Sequence, residues 1–162
     1  MIERTLVLLK PDAVQRGLMG RIISRFEDAG FKIVGVKMSW IDEEFGKKHY
    51  FDVAERRGEI VLNNILKIMV SGPILAICLE GVNAVENLRK MAGTTEPKSA
   101  VPGTIRGDFS HVSFSHADGE GKGIKNVIHA SANLEEAKME LKLWFKDEDL
   151  HTYKTVHELH VF

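Results

Sequence analysis

The sequence has very little cysteine and no long apolar run. Its only cysteine, Cys78, lies inside the apolar segment Ile74–Leu79, so no internal disulfide can form. The thiol is therefore expected to act as a small buried hydrophobe rather than as a reactive group. The apolar run from Thr5 to Leu9 is too short for a signal-peptide core or a membrane span. We therefore predict a cytoplasmic protein that does not cross a membrane.

An excess of charge of one sign is also missing. The 22 basic residues nearly balance the 23 acidic ones, which gives a formal net charge of −1. Proteins that bind long nucleic acid through its phosphates usually carry a basic excess. No run of aromatic and basic residues resembles an RNA-binding sheet either. The composition argues against long nucleic acid as a partner, whereas a few arginines and lysines are enough to bind a small anion.

The composition that is present is that of an ordinary globular protein. Hydrophobic residues make up 44% of the chain and charged residues 28%, which excludes wholesale disorder. The chain has 162 residues and shows neither an internal repeat nor a linker. We therefore predict a single domain over residues 1–162.

Apolar periodicity predicts alternating strands and helices. Asn83 and Asn133 are the predicted N-caps of two of the helices, and Gly30 is the predicted end of another. The segment 93–108 is predicted to be an ordered loop with little regular structure, and the polar, glycine-rich segment 115–125 a mobile insertion. The order of elements predicts an α/β or α+β fold with helices on one face of a small sheet. Strands are predicted over 5–9, 31–40 and 74–80, and helices over 18–28, 42–70 with a break at 57–58, 84–91 and 133–145.

Two segments place a cation beside residues that restrict the backbone. Pro102–Asp108 contains a proline and two glycines around Arg106, whose planar guanidinium matches phosphate oxygens. Lys10 ends the first predicted strand, and strand ends are where binding sites gather in α/β folds. Each segment alone is also compatible with a tight turn or a solvated surface cation.

The segment Asn126–Ser131 places His129 between apolar and small residues, just before a predicted helix. A neutral imidazole is a competent nucleophile near pH 7 because its reference pKa is about 6.5. The small neighbours leave room for a phosphate, Ser131 could donate a hydrogen bond, and Glu140 on the following helix could orient the ring. Taken alone, such a histidine is more often structural.

Three other patterns do not indicate function. The segment Gly119–Gly123 is not a P-loop, because Gly123 stands where a serine or threonine would bind Mg²⁺. The tripeptide Arg106–Asp108 matches an adhesion motif, which does not suit a chain with one cysteine and no secretion signal. The tail histidines lack a cysteine or carboxylate cluster to complete a metal site; they are His151, His157 and His160.

Taken together, the segments resemble the nucleoside diphosphate kinase family along nearly the whole chain. Agreement at so many ordered positions outweighs the structural interpretation of each segment alone. The matching segments are Arg4-Thr5, Lys10–Gly17, His49-Tyr50, Ser71–Pro73, Pro102–Asp108, Asn126–Ser131 and Leu143–Phe145.

This resemblance implies a fold and a reaction. It implies a ferredoxin-like βαββαβ core with an antiparallel sheet, assembly into hexamers or tetramers, and Mg²⁺ bound with the nucleotide rather than in a protein metal site. It implies ping-pong transfer of the γ-phosphoryl group between nucleoside triphosphates and diphosphates through a phosphohistidine at His129. The catalytic residues implied are His129, Glu140, Ser131, Lys10 and Tyr50. The nucleotide-binding residues implied are Lys10, Tyr50, Arg89, Thr95, Arg106 and Asn126.

The chain departs from the family pattern in two places. The segment Glu55–Ile60 stands where the family carries an aromatic residue that stacks on the base, and no aromatic residue aligns there. The resemblance then implies either weaker binding of the base or an apolar platform formed by Ile60 or Leu62. The segment 115–124 is an insertion before the histidine motif, and it is expected to flank the cleft or to alter subunit contacts.

Two other functions compete with the kinase. A nucleotide-binding regulatory module with little turnover would use the same fold through a partner protein. A nucleic-acid-binding ferredoxin-like domain would also fit the predicted elements, although the charge balance counts against it.

Overall fold

A computed structural model describes residues 1–162 and contains one four-stranded sheet with helices around it. Two 3₁₀ turns, Pro97–Ser99 and Asp147–Asp149, complete the regular structure. The strands are β1 (Ile2–Leu9), β2 (Lys32–Ser39), β3 (Ile74–Val82) and β4 (Ile128–Ala130). The helices are α1 (Pro11–Gln15), α2 (Met19–Asp28), α3 (Glu43–His49), α4 (Val53–Arg57), α5 (Glu59–Met69), α6 (Ala84–Ala92), α7 (Ile105–Phe109), α8 (Phe114–Gly119), α9 (Leu134–Trp144) and α10 (Glu158–Val161). None of these helices combines the length and the hydropathy that a membrane crossing needs.

The sheet has the order β2-β3-β1-β4, and each neighbouring pair of strands is antiparallel. The crossovers through α2 and α6 join β1 to β2 and β3 to β4, which produces the βαββαβ arrangement. The predicted ferredoxin-like α+β fold with an antiparallel sheet is therefore confirmed.

The central strand β1 is buried on both faces, which explains its uninterrupted apolar sequence. Val7 and Leu9 belong to a core cluster with residues of α2 and α6. Leu6 and Leu8 belong to a second cluster that contains Trp144 of α9. Helices therefore cover both faces of the sheet, and the prediction of helices on one face was incomplete.

Of the two predicted caps, one is present and one is not. The Asn133 side chain accepts a hydrogen bond from the Glu136 amide at 2.9 Å and caps α9 as predicted. Asn83 precedes α6 but has a φ of 48°, and its side-chain oxygen instead accepts from the amino group of Met1. The prediction for Asn83 was wrong because β3 turns directly into α6, and asparagine tolerates the left-handed conformation that this turn needs.

Two segments contain more regular structure than the sequence predicted. The segment 93–108 holds a 3₁₀ turn and most of α7, whose N-cap Thr104 accepts from the Gly107 amide at 3.1 Å. The segment 115–124 contains most of α8, which Ser113 caps. Helices of five or six residues are too short to display an apolar period, so the sequence pattern could not reveal them.

Candidate active site

His129 lies in the middle of β4, opposite Leu8 of β1. Its ring Nε2 is 2.7 Å from Oε1 of Glu140, and its side chain is 17% exposed. Because a carboxylate accepts hydrogen bonds, the imidazole proton is placed on Nε2, and Nδ1 keeps its lone pair. The geometry therefore leaves one ring nitrogen free to attack an electrophile.

Glu140 is held on its other side by Ser131. The Ser131 hydroxyl donates to Oε2 of Glu140 at 2.6 Å, and it also lies within hydrogen-bond distance of the backbone of Leu6. Burial raises the pKa of Glu140, while His49 and the Ser131 hydrogen bond act in the opposite direction. The structure thus brings together the histidine, serine and glutamate that the sequence singled out, and it ties all three to β1 and β4.

His49 is a site residue that the sequence reasoning did not assign. Nε1 of Trp144 donates to Nδ1 of His49 at 3.2 Å, so the proton of neutral His49 is on Nε2. That Nε2 faces Oε1 of Glu140 at 3.6 Å, and the His49 and His129 rings are 4.7 Å apart. Burial is the main cause that lowers the pKa of His49 to about 3. The only sequence signal was its place in the His49-Tyr50 segment, because its burial depends on tertiary packing.

The environment of His129 keeps its imidazole neutral. Burial lowers its pKa to about 3, and the nearby positive charge of Lys10 acts in the same direction, as do Arg106 and Arg89. A neutral imidazole is the nucleophilic form. The cations that would attract phosphate oxygens therefore also keep the histidine unprotonated at neutral pH.

Lys10 is buried at the end of β1 and points at Asn126. Its Nζ donates to Oδ1 of Asn126 at 2.8 Å, and Nδ2 of Asn126 donates to the carbonyl of Thr95 at 2.8 Å. Burial, followed by the charge of Arg106, lowers the pKa of Lys10 to about 8. These contacts connect the loop after β1, the loop before β4 and the exposed Thr95.

Arg106 is buried on α7 and donates to three backbone carbonyls. These belong to Gly93 at 2.6 Å, Ile128 at 2.7 Å and Asn126 at 3.3 Å. A guanidinium has five N–H donors, so donors remain for a ligand. Burial, followed by the charge of Arg89, lowers its pKa to about 10, and Arg106 stays protonated at neutral pH.

A cleft of about 260 Å³ opens above His129, and we call it the phosphate cleft. Arg89 on α6 is exposed and makes one long contact, 3.4 Å, to the carbonyl of Ala130. The hydroxyl of Tyr50 donates to the sulfur of Met69 at 3.7 Å, and burial raises the pKa of this tyrosine.

The predicted residues that line the cleft are Lys10, Tyr50, Arg89, Thr95, Arg106, Asn126, His129 and Glu140. Residues of the lining that sequence reasoning missed are His49, Asp52, Arg56, Arg57 and Glu136.

The backbone before His129 is strained. Val127 has a φ of 60°, which is unusual for a β-branched side chain. Its amide donates to Oδ2 of the buried Asp12 at 3.0 Å, and its carbonyl accepts from the Lys10 amide at 2.9 Å. The partners are Lys10, directly after β1, and Asp12 in α1, so the start of α1 holds the approach to the nucleophile in place.

One group of side chains could hold a metal ion by geometry. The ligand atoms of His49, His129 and Glu140 all lie within 4.8 Å of one another. Mg²⁺ prefers oxygen ligands, and here two of the three donors are imidazoles, one of them hydrogen-bonded to the carboxylate. The group therefore does not fit a protein-bound Mg²⁺.

Neither of the apolar platforms suggested for the base lies at the cleft. Ile60 is 78% exposed on α5, and Leu62 is buried in a small cluster with Val53 and Leu66. Neither residue belongs to the lining of the phosphate cleft. Successive residues of α5 point about 100° apart. The α5 residue that does line the cleft is Ile65.

The sequence was compared with protein-family models and with known proteins, and both comparisons point to one family. Residues 3–150 match the family model described as nucleoside diphosphate kinase. The nucleoside diphosphate kinase of Borreliella burgdorferi is 47% identical over 156 residues, which are 95% of this chain and 93% of that protein. The enzyme of the same name from Pyrococcus horikoshii is 52% identical over 151 residues, 93% of this chain and 90% of that protein.

A solved structure is similar over its whole length. It is described as a transition state mimic of the Borrelia burgdorferi nucleoside-diphosphate kinase with bound vanadate and ADP. The TM-score is 0.96 at 46% sequence identity, and the match covers 99% of this chain and 96% of that one.

Proposed function

We propose, from the premise that this chain belongs to the nucleoside diphosphate kinase family of phosphotransferases, that His129 carries the phosphoryl group between two nucleotides. The observation that carries this proposal is the hydrogen bond between Nε2 of His129 and Glu140, which leaves Nδ1 as the nucleophile. The substrates are a nucleoside triphosphate as donor and a nucleoside diphosphate as acceptor.

In the first half-reaction, the lone pair of Nδ1 attacks the γ-phosphorus of the donor. The bond from that phosphorus to the oxygen bridging to the β-phosphate breaks, and the electron pair leaves with the nucleoside diphosphate. The phosphorylated imidazole becomes cationic if Nε2 keeps its proton, and the negative charge of Glu140 stabilises it. In the second half-reaction, a β-phosphate oxygen of another diphosphate attacks the phosphohistidine, and Nδ1 regains its lone pair.

The cations of the cleft would position and neutralise the phosphates. Phosphoryl transfer depends on in-line positioning and on charge stabilisation rather than on covalent help from the protein. Lys10 and Arg106 are held by hydrogen bonds to Asn126 and to backbone carbonyls, so they need little rearrangement. Arg89 is exposed and would reach the phosphates nearer to solvent. Tyr50 and Thr95 would contact the same substrate from the sides of the cleft.

We propose Mg²⁺ as the ion that accompanies the nucleotide. Such ions usually bind substrate phosphates together with one or two carboxylates. Asp52 and Glu136 are the carboxylates of the cleft lining beside Glu140, and both are partly exposed. They fit that role better than the buried group around His129. The ion would neutralise charge on the phosphate oxygens.

We also propose a homo-oligomer, either a hexamer or a tetramer. The strand β2 lies at the edge of the sheet, and large apolar side chains are exposed in its second half and directly after its end. Val36, Met38 and Trp40 are 50%, 54% and 70% exposed. Apolar residues on an exposed edge favour association with another protein surface. A cytoplasmic location is part of the proposal as well, because a single buried cysteine suits a reducing compartment.

A two-step transfer assay tests the proposed mechanism. The pure protein is incubated with γ-labelled ATP and Mg²⁺, isolated, and then given unlabelled GDP. Acid-labile label on the protein that moves to GDP supports the phosphohistidine, and His129→Ala should carry none. A folded protein that binds nucleotide but takes up no label would instead be the regulatory module, and the proposed mechanism would be wrong.

A further inference from the structure

A second cavity adjoins the phosphate cleft, and His129 is not among the residues that line it. Its volume is about 220 Å³, and we call it the outer cavity. Five residues line both spaces and so stand at the junction; they are Lys10, Arg57, Ile65, Thr95 and Asn126. A nucleotide whose phosphates lie beside His129 and whose sugar lies near this junction would therefore place its base in the outer cavity.

The lining of the outer cavity combines polar and charged residues with an apolar part that suits a base. Val61 and Ile65 belong to this apolar part and come from α5. Phe114 also belongs to it and is the first residue of α8, directly before the inserted segment. Phe114 is the only aromatic residue of the lining. Aromatic rings stack on the faces of all nucleobases, because every base has a π-face.

The inserted segment is anchored at its beginning to the nucleotide site. The amide of Phe114 donates to Oε1 of Glu96 at 2.9 Å, and Oε2 of Glu96 accepts from the Ser99 hydroxyl at 2.6 Å. Glu96 directly follows Thr95, whose carbonyl accepts from Asn126. The ring of Phe114 is therefore held relative to the same loop that positions Asn126.

The segment is packed closely against α5 at its other end. A Cβ built on Gly123 would lie 2.6 Å from the carbonyl oxygen of Asn64 and 2.7 Å from Cδ1 of Ile68. Such distances are shorter than any ordinary contact, so only glycine fits between the segment and the helix. The two walls of the outer cavity are thereby held at a set separation.

We propose that Phe114 is the residue on which the nucleobase stacks, opposite Val61 and Ile65. This inference rests on the proposed function and adds the residue that binds the base. It assigns to Phe114, directly before the insertion, the platform that is absent from the segment Glu55–Ile60. A stacking residue contacts the flat face of a base and not its hydrogen-bonding edge, so the site accepts purines and pyrimidines alike.

Arg57 completes the mouth of the outer cavity. Its guanidinium carbon lies 5.9 Å from the centre of the Phe114 ring. A guanidinium plane can itself stack on an aromatic surface. Arg57 is exposed and ends α4, so it can move aside when the base enters or cover the base once it is bound.

The first test compares a normal donor with one that lacks a base. Phe114→Ala should raise the KM for ATP roughly tenfold, while kcat stays within about twofold. With ribose 5-triphosphate as donor, the same substitution should leave kcat/KM unchanged. Ile60→Ala is the matched control, because this side chain is exposed on α5 outside the cavity lining. An equal loss with both donors, or no loss with either, overturns the proposal.

The second test does not depend on turnover. In Phe114→Trp, ADP should quench the fluorescence of the added indole, and inorganic pyrophosphate should not. Trp40 and Trp144 contribute a background that the unchanged chain measures. Titration calorimetry with ADP on Phe114→Ala should show an affinity about tenfold weaker. If His129 takes up no label and these results still hold, the phosphohistidine mechanism is wrong and the stacking site stands. If labelling succeeds and ADP neither quenches the indole nor binds more weakly, only the stacking site is wrong.

Discussion

The two ends of the nucleotide cleft are built in opposite ways. At the phosphate end, Lys10 and Arg106 are buried, and hydrogen bonds to Asn126 and to backbone carbonyls hold them while other donors stay free. At the base end, Phe114 is partly exposed at the start of the short helix α8, and Arg57 is exposed at the end of α4. One end is held by hydrogen bonds to the sheet, and the other by packing between two surface segments.

The difference follows from what each end must do. Charge stabilisation of a transferring phosphoryl group requires donors that are already in place, because reorganisation during the reaction costs free energy. Holding a base requires only a flat apolar surface at a suitable distance. Substitutions at the phosphate end should therefore change both rate and stability, whereas those at the base end should change affinity alone.

The largest effect is expected for Arg106→Lys, which keeps the charge but not the planar fork. We expect kcat/KM to fall by about 10²–10³-fold. Leaving the buried carbonyl of Ile128 or Asn126 without a donor should lower the free energy of unfolding by about 1–3 kcal/mol. Steady-state kinetics and urea denaturation measure the two effects. Arg89→Lys is the control, since Arg89 is exposed with one long carbonyl contact, and it should lose activity without losing stability.

The next largest effect is expected for Glu140→Gln, which preserves the shape of the side chain and removes its charge. We expect the rate of His129 phosphorylation to fall by about 10²-fold, the low end of what a positioned acid–base group contributes. Ser131→Ala removes one hydrogen bond to the same carboxylate and should cost less than about tenfold. Rapid-quench labelling measures both. If Ser131→Ala slowed phosphorylation more than Glu140→Gln, the inference that Ser131 acts on His129 through Glu140 would be wrong.

A smaller effect is expected from pH, through Lys10. Its folded-state pKa of about 8 lies below the ordinary value of 10.5. The KM for ADP should therefore rise above pH 8, by about tenfold for each further pH unit. The unfolded chain binds the proton more tightly, so this group's contribution to stability rises between pH 8 and pH 10.5.

Initial rates from about pH 7.5 upward measure the effect on KM, since the second phosphate ionisation near pH 6 is then complete. The variant Lys10→Met should show a high KM without this dependence. A KM for the unchanged chain that stays constant up to pH 9.5 would contradict the role given to Lys10.

The smallest effect is expected at the base end, from Gly123→Ala. The added methyl group meets the carbonyl of Asn64 and the side chain of Ile68, so the inserted segment must move away from α5. We expect the KM for ATP to rise by about two- to fivefold, within the range of a partly lost stacking contact, with kcat unchanged. Gly119→Ala is the control, because nothing lies within 4 Å of its added Cβ and its φ is not positive. Equal effects in both variants would mean that the packing on α5 does not position Phe114.

Much of the fold was predictable from the sequence, for a physical reason. Long elements such as β1 and α9 bury whole faces, so their apolar residues repeat with a clear period. Short helices such as α7 and α8 bury only one or two side chains and leave no period. The second helical layer was not predicted, although the uninterrupted apolar run of β1 is typical of a strand covered on both faces.

The candidate site divides in the same way. Lys10, Arg106 and His129 stand out because proline, glycine or small residues surround them in the sequence. His49 does not stand out, because its role depends on Trp144, 95 positions later, and on Glu140. Phe114 was hidden for another reason, since it stands at the start of a polar, glycine-rich segment that reads as a mobile loop.

The hydrogen bonds of the two arginines have a consequence at the edge of the sheet. The strand β4 is the outer neighbour of β1, and an open edge is a template for pairing with another chain. Arg106 donates to the carbonyl of Ile128 and Arg89 to that of Ala130, so guanidinium groups occupy alternate positions along this edge. Because these carbonyls already accept hydrogen bonds from the two arginines, they are less available to pair with a strand of another chain. Variants that replace the two arginines should accumulate in inclusion bodies more often than other inactive variants, so screens that score soluble yield would tend to lose them before their chemistry is measured.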